Sequence, residues 1–181
     1  RKRIMYIEPK HIVSSYTPNN IGKTIYDTIR KIKPKKVIEF GALYGYSAVC
    51  IGQALKDNGF GELITYDIFE EYKYTHSDRN ILLNNLKFYN LTDIVSVKYG
   101  NFYDFIKGDF EFDIAHIDIS NTGDIIESVY KTYPDKNIMF EGGSKQRDKC
   151  DWMLKYNSKP IFNHKYEILN PKFPSISLIK Q

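Results

Sequence analysis

The hydrophobic pattern of this chain changes period repeatedly, and the alternation sets the expected fold. Ile21, Ile25, Ile29 and Ile32 make one apolar stripe, with Lys23, Asp27, Arg30 and Lys31 off it, which predicts an amphipathic helix. Thr17-Pro18 reads as its N-cap followed by proline at the first helical position. Short β-rich runs then alternate with helical stretches: strand Lys36–Phe40, helix Ser47–Lys56, strand Leu63–Tyr66, helix Arg79–Phe88 and strand Val95–Tyr99. A fourth strand is expected at Ile114–Ile119 with a helix near Asp124–Thr132, and a fifth at Asn137–Phe140 with a helix over Lys145–Tyr156 capped by Ser144. Strands alternating with helices at this spacing call for a parallel, doubly wound sheet. The tail departs from the pattern. Tyr166–Leu169 and Ser175–Ile179 are joined only by NPKFP, too short for a helical crossover, so they pair antiparallel. The expected fold is α/β, a Rossmann-like doubly wound and mostly parallel seven-stranded sheet with a C-terminal antiparallel hairpin. It is read as one domain over 1–181, with 1–17 as an N-terminal arm or lid.

Composition narrows the class. The 181 residues are 42% hydrophobic and 27% charged, ordinary for a soluble globular chain with a real core. No apolar run reaches the length of a membrane span and nothing resembles a secretory signal. Cys50 and Cys150 lie far apart in predicted helices and read as reduced core residues, which suits the cytoplasm. The net charge of +4 is uneven: residues 1–36 hold ten Lys/Arg against two acids (+8), leaving 16 against 20 (−4) for the remainder. Such a basic segment either attracts an acidic partner or is simply a solvated face.

Ligands of open α/β sheets bind beyond the carboxyl ends of the strands, which directs attention to VIEFGALYGYSAVCIG, Val37–Gly52. A dinucleotide fingerprint needs G-x-G-x-x-G for close approach to a pyrophosphate. Here the spacing is Gly41-x-x-x-Gly45 with Leu43 in the middle, and no Gly-Lys-Ser/Thr follows. A phosphate ligand is therefore the poorer expectation, and a nicotinamide-dependent reductase is disfavoured with it.

The stretch EFGALYGYS, Glu39–Ser47, resembles the first motif of class I S-adenosylmethionine-dependent methyltransferases, and its G-Y-S ending resembles the small catechol-type O-methyltransferases. The resemblance implies that Gly41 and Gly45 admit the methionine part of the cofactor, that Glu39 faces its ammonium, and that Ser47 adds a hydroxyl donor. Asp67, ending ITYD, takes the place of the acid that accepts hydrogen bonds from both ribose hydroxyls. Asn101, ending KYGN, takes the place that meets the adenine edge, with Ile68, Tyr99 and Phe102 as apolar neighbours of the ring.

Methyl transfer is an in-line displacement that asks the protein to align the reactants and remove a proton from the acceptor. Candidate bases stand where strands four and five end: Asp118, with His116 two residues earlier on the same face, and Glu141, in that order of preference with His116 last. In the catechol-type relatives this neighbourhood holds a divalent metal. Asp118 matches the first ligand and Glu141 stands in for the second, which allows Mg²⁺ or another divalent cation. Gly142 replaces the relatives' asparagine, however, and Asn121 their catalytic lysine. Gly142-Gly143-Ser144 with Lys145 and Arg147 reads either as an anion-binding helix start or as an ordinary capped helix. The acceptor is expected to be a small molecule, a sugar or metabolite, walled by Tyr6, Lys10, His11, Tyr16, the loop FEEYKYTHSDR and the segment Asn121–Gly123. No Asn/Asp-Pro-Pro-aromatic motif follows strand four, which argues against nucleic-acid bases as acceptors, and oligomerisation stays open. The alternative is a non-catalytic module of the same fold that binds RNA or an acidic partner through its basic N-terminal face.

Overall fold

The isoleucine stripe builds a helix, but one that starts later than the proline suggests. In the computed structural model, which describes residues 5–119, 122–144 and 164–181, Thr17–Asn19 is a 3-10 turn and α1 spans Gly22–Ile32. Asn20 separates them with φ 52°, a left-handed conformation that asparagine tolerates. The Thr17 hydroxyl donates to the Ile12 carbonyl at 2.7 Å instead of capping a helix. Ile21, Ile25 and Ile29 are buried as the pattern required.

The chain divides into two compact units, Arg1–Asn101 and Phe102–Gln181. In the first, β1 (Lys36–Phe40), α2 (Tyr46–Asn58), β2 (Glu62–Asp67), α3 (Arg79–Phe88) and β3 (Val95–Tyr99) follow in order. The three strands are parallel in the order β3-β2-β1. Val37, Ile38, Glu39 and Phe40 are all buried, as in a strand covered on both faces, with Glu39 the one polar side chain among them. Helix α2 stops at Gly59, whose left-handed backbone (φ 80°) lets its N–H reach the Leu55 and Lys56 carbonyls. Helix α3 starts where the Asp78 carboxyl accepts the Ile81 N–H at 2.9 Å. A 3-10 turn over Phe69–Glu71, with no periodicity to announce it, precedes that helix.

The second unit contains α4 (Phe102–Phe105), β4 (Ile114–Ile117), α5 (Gly123–Thr132), β5 (Asn137–Glu141), β6 (Glu167–Ile168) and β7 (Ile176–Ile179). Strands β4 and β5 are parallel with Ile117 opposite Phe140, and β7 runs antiparallel to both β5 and β6. The seven strands make a mixed, mostly parallel sheet that ends in the antiparallel hairpin. Strand β4 ends two residues earlier than expected, and Asp118 stands just past its tip. The expected helix over Lys145–Tyr156, together with Cys150, lies outside the described residues. Among the described residues no helix is long and apolar enough to cross a membrane, and Cys50 is a buried free thiol.

Aromatic packing anchors the second unit. The fully buried Phe105 ring stacks on Tyr133 at 4.7 Å and meets Phe110 and Phe112 at 5.3 and 5.6 Å. The Tyr133 hydroxyl closes the cluster by donating to the Phe105 carbonyl at 2.5 Å. Phe105→Ala is expected to cost about 3–5 kcal/mol of stability by loss of buried surface and cavity formation. Urea unfolding measures it, and a loss near zero would show that the cluster is not close-packed.

Candidate functional site

A carboxyl group inside a parallel sheet must be hydrogen-bonded, and the strand register provides the partner. Glu39 on β1 faces Thr65 on β2. The Thr65 hydroxyl donates to Glu39 Oε1 at 2.7 Å, and the Ser47 hydroxyl, from the first turn of α2, donates to Oε2 at 2.6 Å. Glu39 is fully enclosed. Ser47, expected to donate to a ligand, therefore places its one hydrogen on Glu39 and keeps only acceptor capacity. Thr65 was not among the expected site residues, although a hydroxyl in register with a buried acid was the available signal.

Between β1 and α2 the backbone turns tightly. Gly41, Leu43 and Gly45 all take positive φ, at 95°, 46° and 93°. Leu43 thus adopts at the central position a conformation that costs a non-glycine residue about 1–3 kcal/mol, a strain of the kind found at ligand-binding turns. Gly45 is required twice, for its φ and because a Cβ there would sit 2.4 Å from Leu82 Cδ1 on α3.

Asp67, the last residue of β2, reaches back to this turn. Its Oδ2 accepts the Ala42 N–H at 2.8 Å and the Ser77 hydroxyl at 2.5 Å, and its Oδ1 accepts the Phe69 N–H at 2.7 Å. Three donors leave part of the carboxyl's capacity for a further partner. The next residue, Ile68, lines a cleft of about 470 Å³ with Phe69, Glu71, Ser77, Arg79 and Tyr99. The Tyr99 hydroxyl donates to Glu71 Oε2 across it at 2.8 Å. Gly100 donates its N–H to the Asp67 carbonyl at 3.1 Å and carries the chain to half-buried Asn101, the last residue of this unit. Phe102 opens the second unit and is buried beside Tyr103 and Phe105, at 6.0 and 6.1 Å between rings.

The second unit presents the other candidates on two adjacent strands. The register Ile117 to Phe140 brings Asp118 and Glu141 to neighbouring strand ends. Asp118 is half-buried, Glu141 buried and His116 wholly enclosed in β4. Gly142 and Gly143 turn with φ 119° and 92°, and the terminal hairpin grips that turn. Gly142 donates its N–H to the Ser175 carbonyl at 2.9 Å. Its carbonyl accepts the Ser177 hydroxyl at 2.7 Å, and the Gly143 carbonyl accepts the Tyr166 hydroxyl at 2.6 Å. Ser144 donates to the Pro174 carbonyl at 2.6 Å. These bonds hold the turn to the hairpin, while the helix that either reading of the turn needs, with Lys145 and Arg147, lies outside the described residues, as does Asn121. Among the described residues no group of three or more His, Cys, Asp or Glu side chains is placed to hold a metal ion.

The expected acceptor wall is divided. Tyr16 is buried in the core and Tyr6 is turned onto Glu8 and Cys50, whereas Lys10 and His11 are exposed. Tyr72 and Tyr74 on the loop after β2 are exposed and meet edge to face at 5.5 Å.

Comparison with known proteins bears on this arrangement. The family described as "Methyltransferase domain" matches residues 38–136, more than half of the chain. No curated protein sequence matches significantly. Among solved structures, an O-methyltransferase from Bacillus cereus in complex with SAH is 24% identical with TM-score 0.53, covering 75% of this chain and 60% of its own. The O-methyltransferase TomG from Streptomyces achromogenes, in complex with SAM, is 21% identical with TM-score 0.52, over 74% and 58%. The SAH-bound Podospora anserina methyltransferase PaMTH1 is 18% identical with TM-score 0.59, over 98% and 83%. The chain thus spans about three fifths of the length of the first two, and all three share its fold.

The Glu39 arrangement makes its own prediction. Thr65→Val keeps the shape of the side chain but leaves Oε1 of a buried carboxyl short of a donor, which is expected to cost about 1–3 kcal/mol. Thermal or urea unfolding measures it, and an unchanged stability would mean that Glu39 finds another partner.

Proposed function

The chain belongs to the methyltransferase-domain family, and on that footing we propose that it is an S-adenosylmethionine-dependent methyltransferase acting on an oxygen, in second place a nitrogen, of a small molecule such as a sugar or metabolite. The observation that carries the cofactor assignment is the pairing of a strained glycine turn with two carboxyl groups, Glu39 behind it and Asp67 latched onto its Ala42 amide. A diphosphate would meet two acids there. A ligand bearing an ammonium and a ribose diol suits them, since both groups donate hydrogen bonds.

In this reading the left-handed backbone at Gly41 and Gly45 gives the ligand close access, and Glu39, enclosed as it is, favours the ammonium by its charge. Asp67 takes the ribose hydroxyls with the capacity left by Ala42, Phe69 and Ser77. Ile68 and Asn101 are assigned to the adenine base. The bound cofactor supplies an electrophilic methyl group. Asp118, the more accessible of the strand-tip acids, accepts the acceptor's proton. Glu141 is the second candidate, and His116, sealed in β4, supports the strand. Asp118 and Glu141 alone make an incomplete oxygen set for Mg²⁺ or a similar cation, so no step is routed through a metal. The free thiol at Cys50 goes with a cytoplasmic setting.

Isothermal titration with S-adenosylhomocysteine separates the two roles. Asp67→Ala is expected to weaken binding tenfold or more. Asp118→Ala is expected to bind within about twofold of wild type yet lose 10²–10⁴-fold in turnover, followed as S-adenosylhomocysteine release over a panel of hydroxyl-bearing acceptors. Unchanged binding by Asp67→Ala contradicts the cofactor assignment. Full turnover by Asp118→Ala moves the base to Glu141, and binding without turnover by wild type on any acceptor favours a non-catalytic module.

A further inference from the structure

The segment before α1 carries a carboxyl group that the proposed reaction does not use, and its hydrogen bonds lead to the cofactor turn. Glu8 accepts from two phenols: Tyr46 OH donates to Oε1, and Tyr6 OH donates to Oε2 at 2.6 Å. Tyr46 OH in turn accepts the Gly22 N–H at 2.9 Å, at the start of α1. Tyr6 OH also lies 3.4 Å from Cys50 Sγ on α2. Beside this knot, Gln53 on α2 clamps the backbone of Ile7 on both sides, accepting from its N–H and donating to its carbonyl, each at 2.9 Å. Burial pushes both phenols well above their usual range, so both remain O–H donors at neutral pH.

Tyr46 immediately follows Gly45, is almost fully buried, and forms the first position of α2. Its neighbour Ser47 donates to Glu39. A displacement of the Tyr46 ring therefore rotates the helical turn that ends the glycine loop and holds the buried acid. There is little room to absorb such a movement elsewhere, because a Cβ on Gly22 would lie 2.4 Å from Tyr6 OH, 2.5 Å from Cys50 Sγ and 2.7 Å from Tyr46 OH. We infer that Glu8 is a positioning residue: through Tyr46 it holds the first turn of α2, and with it the loop Gly41–Ser47, in the conformation that receives the cofactor. The inference rests on the cofactor assignment for its ligand, but not for its geometry. Docking of the N-terminal segment and cofactor binding are then coupled, and coupling of binding free energies is reciprocal.

The test uses the full chain with Glu8→Gln, which keeps the shape of the side chain but offers one acceptor oxygen in place of two, and with Tyr46→Phe. The expected result is that Glu8→Gln remains folded but binds S-adenosylhomocysteine at least tenfold more weakly. The double variant should lose no more than the worse single variant, since both break one chain of bonds. Hydrogen exchange adds a readout that a merely structural role would not move. S-adenosylhomocysteine should slow exchange over residues 5–16 in wild type and lose that effect in Glu8→Gln. Without ligand, residues 41–47 should exchange faster in Glu8→Gln than in wild type. Binding by Glu8→Gln within twofold of wild type, or additive losses in the double variant, overturns the inference. If wild type does not bind S-adenosylhomocysteine at all, the cofactor assignment fails by itself, and the ligand-free comparison decides: equal exchange over 41–47 rejects the positioning role, faster exchange in the variant retains it.

Discussion

The arrangement of the first unit depends on carboxyl groups meeting backbone and hydroxyl donors at the ends of parallel strands. Asp67 is the clearest case. By accepting the Ala42 amide it ties the end of β2 to the turn that leaves β1, and by accepting Phe69 N–H and Ser77 Oγ it also sets the path of the chain beyond β2. Glu39 does the same inside the sheet, drawing Thr65 and Ser47 onto one group. In a low-dielectric interior each such group is costly if left unpaired, so the donors are as necessary as the acids. The left-handed backbone at Leu43 is tolerated because these bonds over-determine the turn.

Much of the fold was legible from periodicity. Strands β1 and β3 and helix α3 begin and end at the residues the pattern indicates, because each is bounded by a clear change of period or an acidic cap. The hairpin was legible from connection length alone. The errors have local causes. Pro18 suggested a helix start at Thr17, but the left-handed Asn20 separates a single 3-10 turn from α1. Strand β4 ends at Ile117 because Asp118 and the exposed Ile119 have already left the sheet. The short elements Phe69–Glu71 and Phe102–Phe105 contain too few residues to show any period.

The candidate site was legible as a set of residue types and not as a set of partners. The resemblance of EFGALYGYS and ITYD to methyltransferase motifs pointed to Glu39, Gly41, Gly45 and Asp67. Which hydroxyl would satisfy which carboxyl depends on strand register, and the roles of Thr65 and Ser77 follow only from that register and from the course of the loop. The tyrosines of the N-terminal segment show the same limit. Composition made Tyr6 and Tyr16 look like walls for an acceptor, whereas packing turns one onto Glu8 and seals the other in the core. Amphipathic side chains of this kind serve either purpose, and only the three-dimensional surroundings decide between them.

The central claim is that the turn at Gly41–Gly45 receives a nucleoside thioether and no phosphate. Its most direct test is a pair of titrations of the unaltered protein, one with S-adenosylhomocysteine and one with NAD. The account predicts saturable heat at one site per chain from S-adenosylhomocysteine and none from NAD. Saturable binding of NAD, or silence from both at high micromolar ligand, would contradict it.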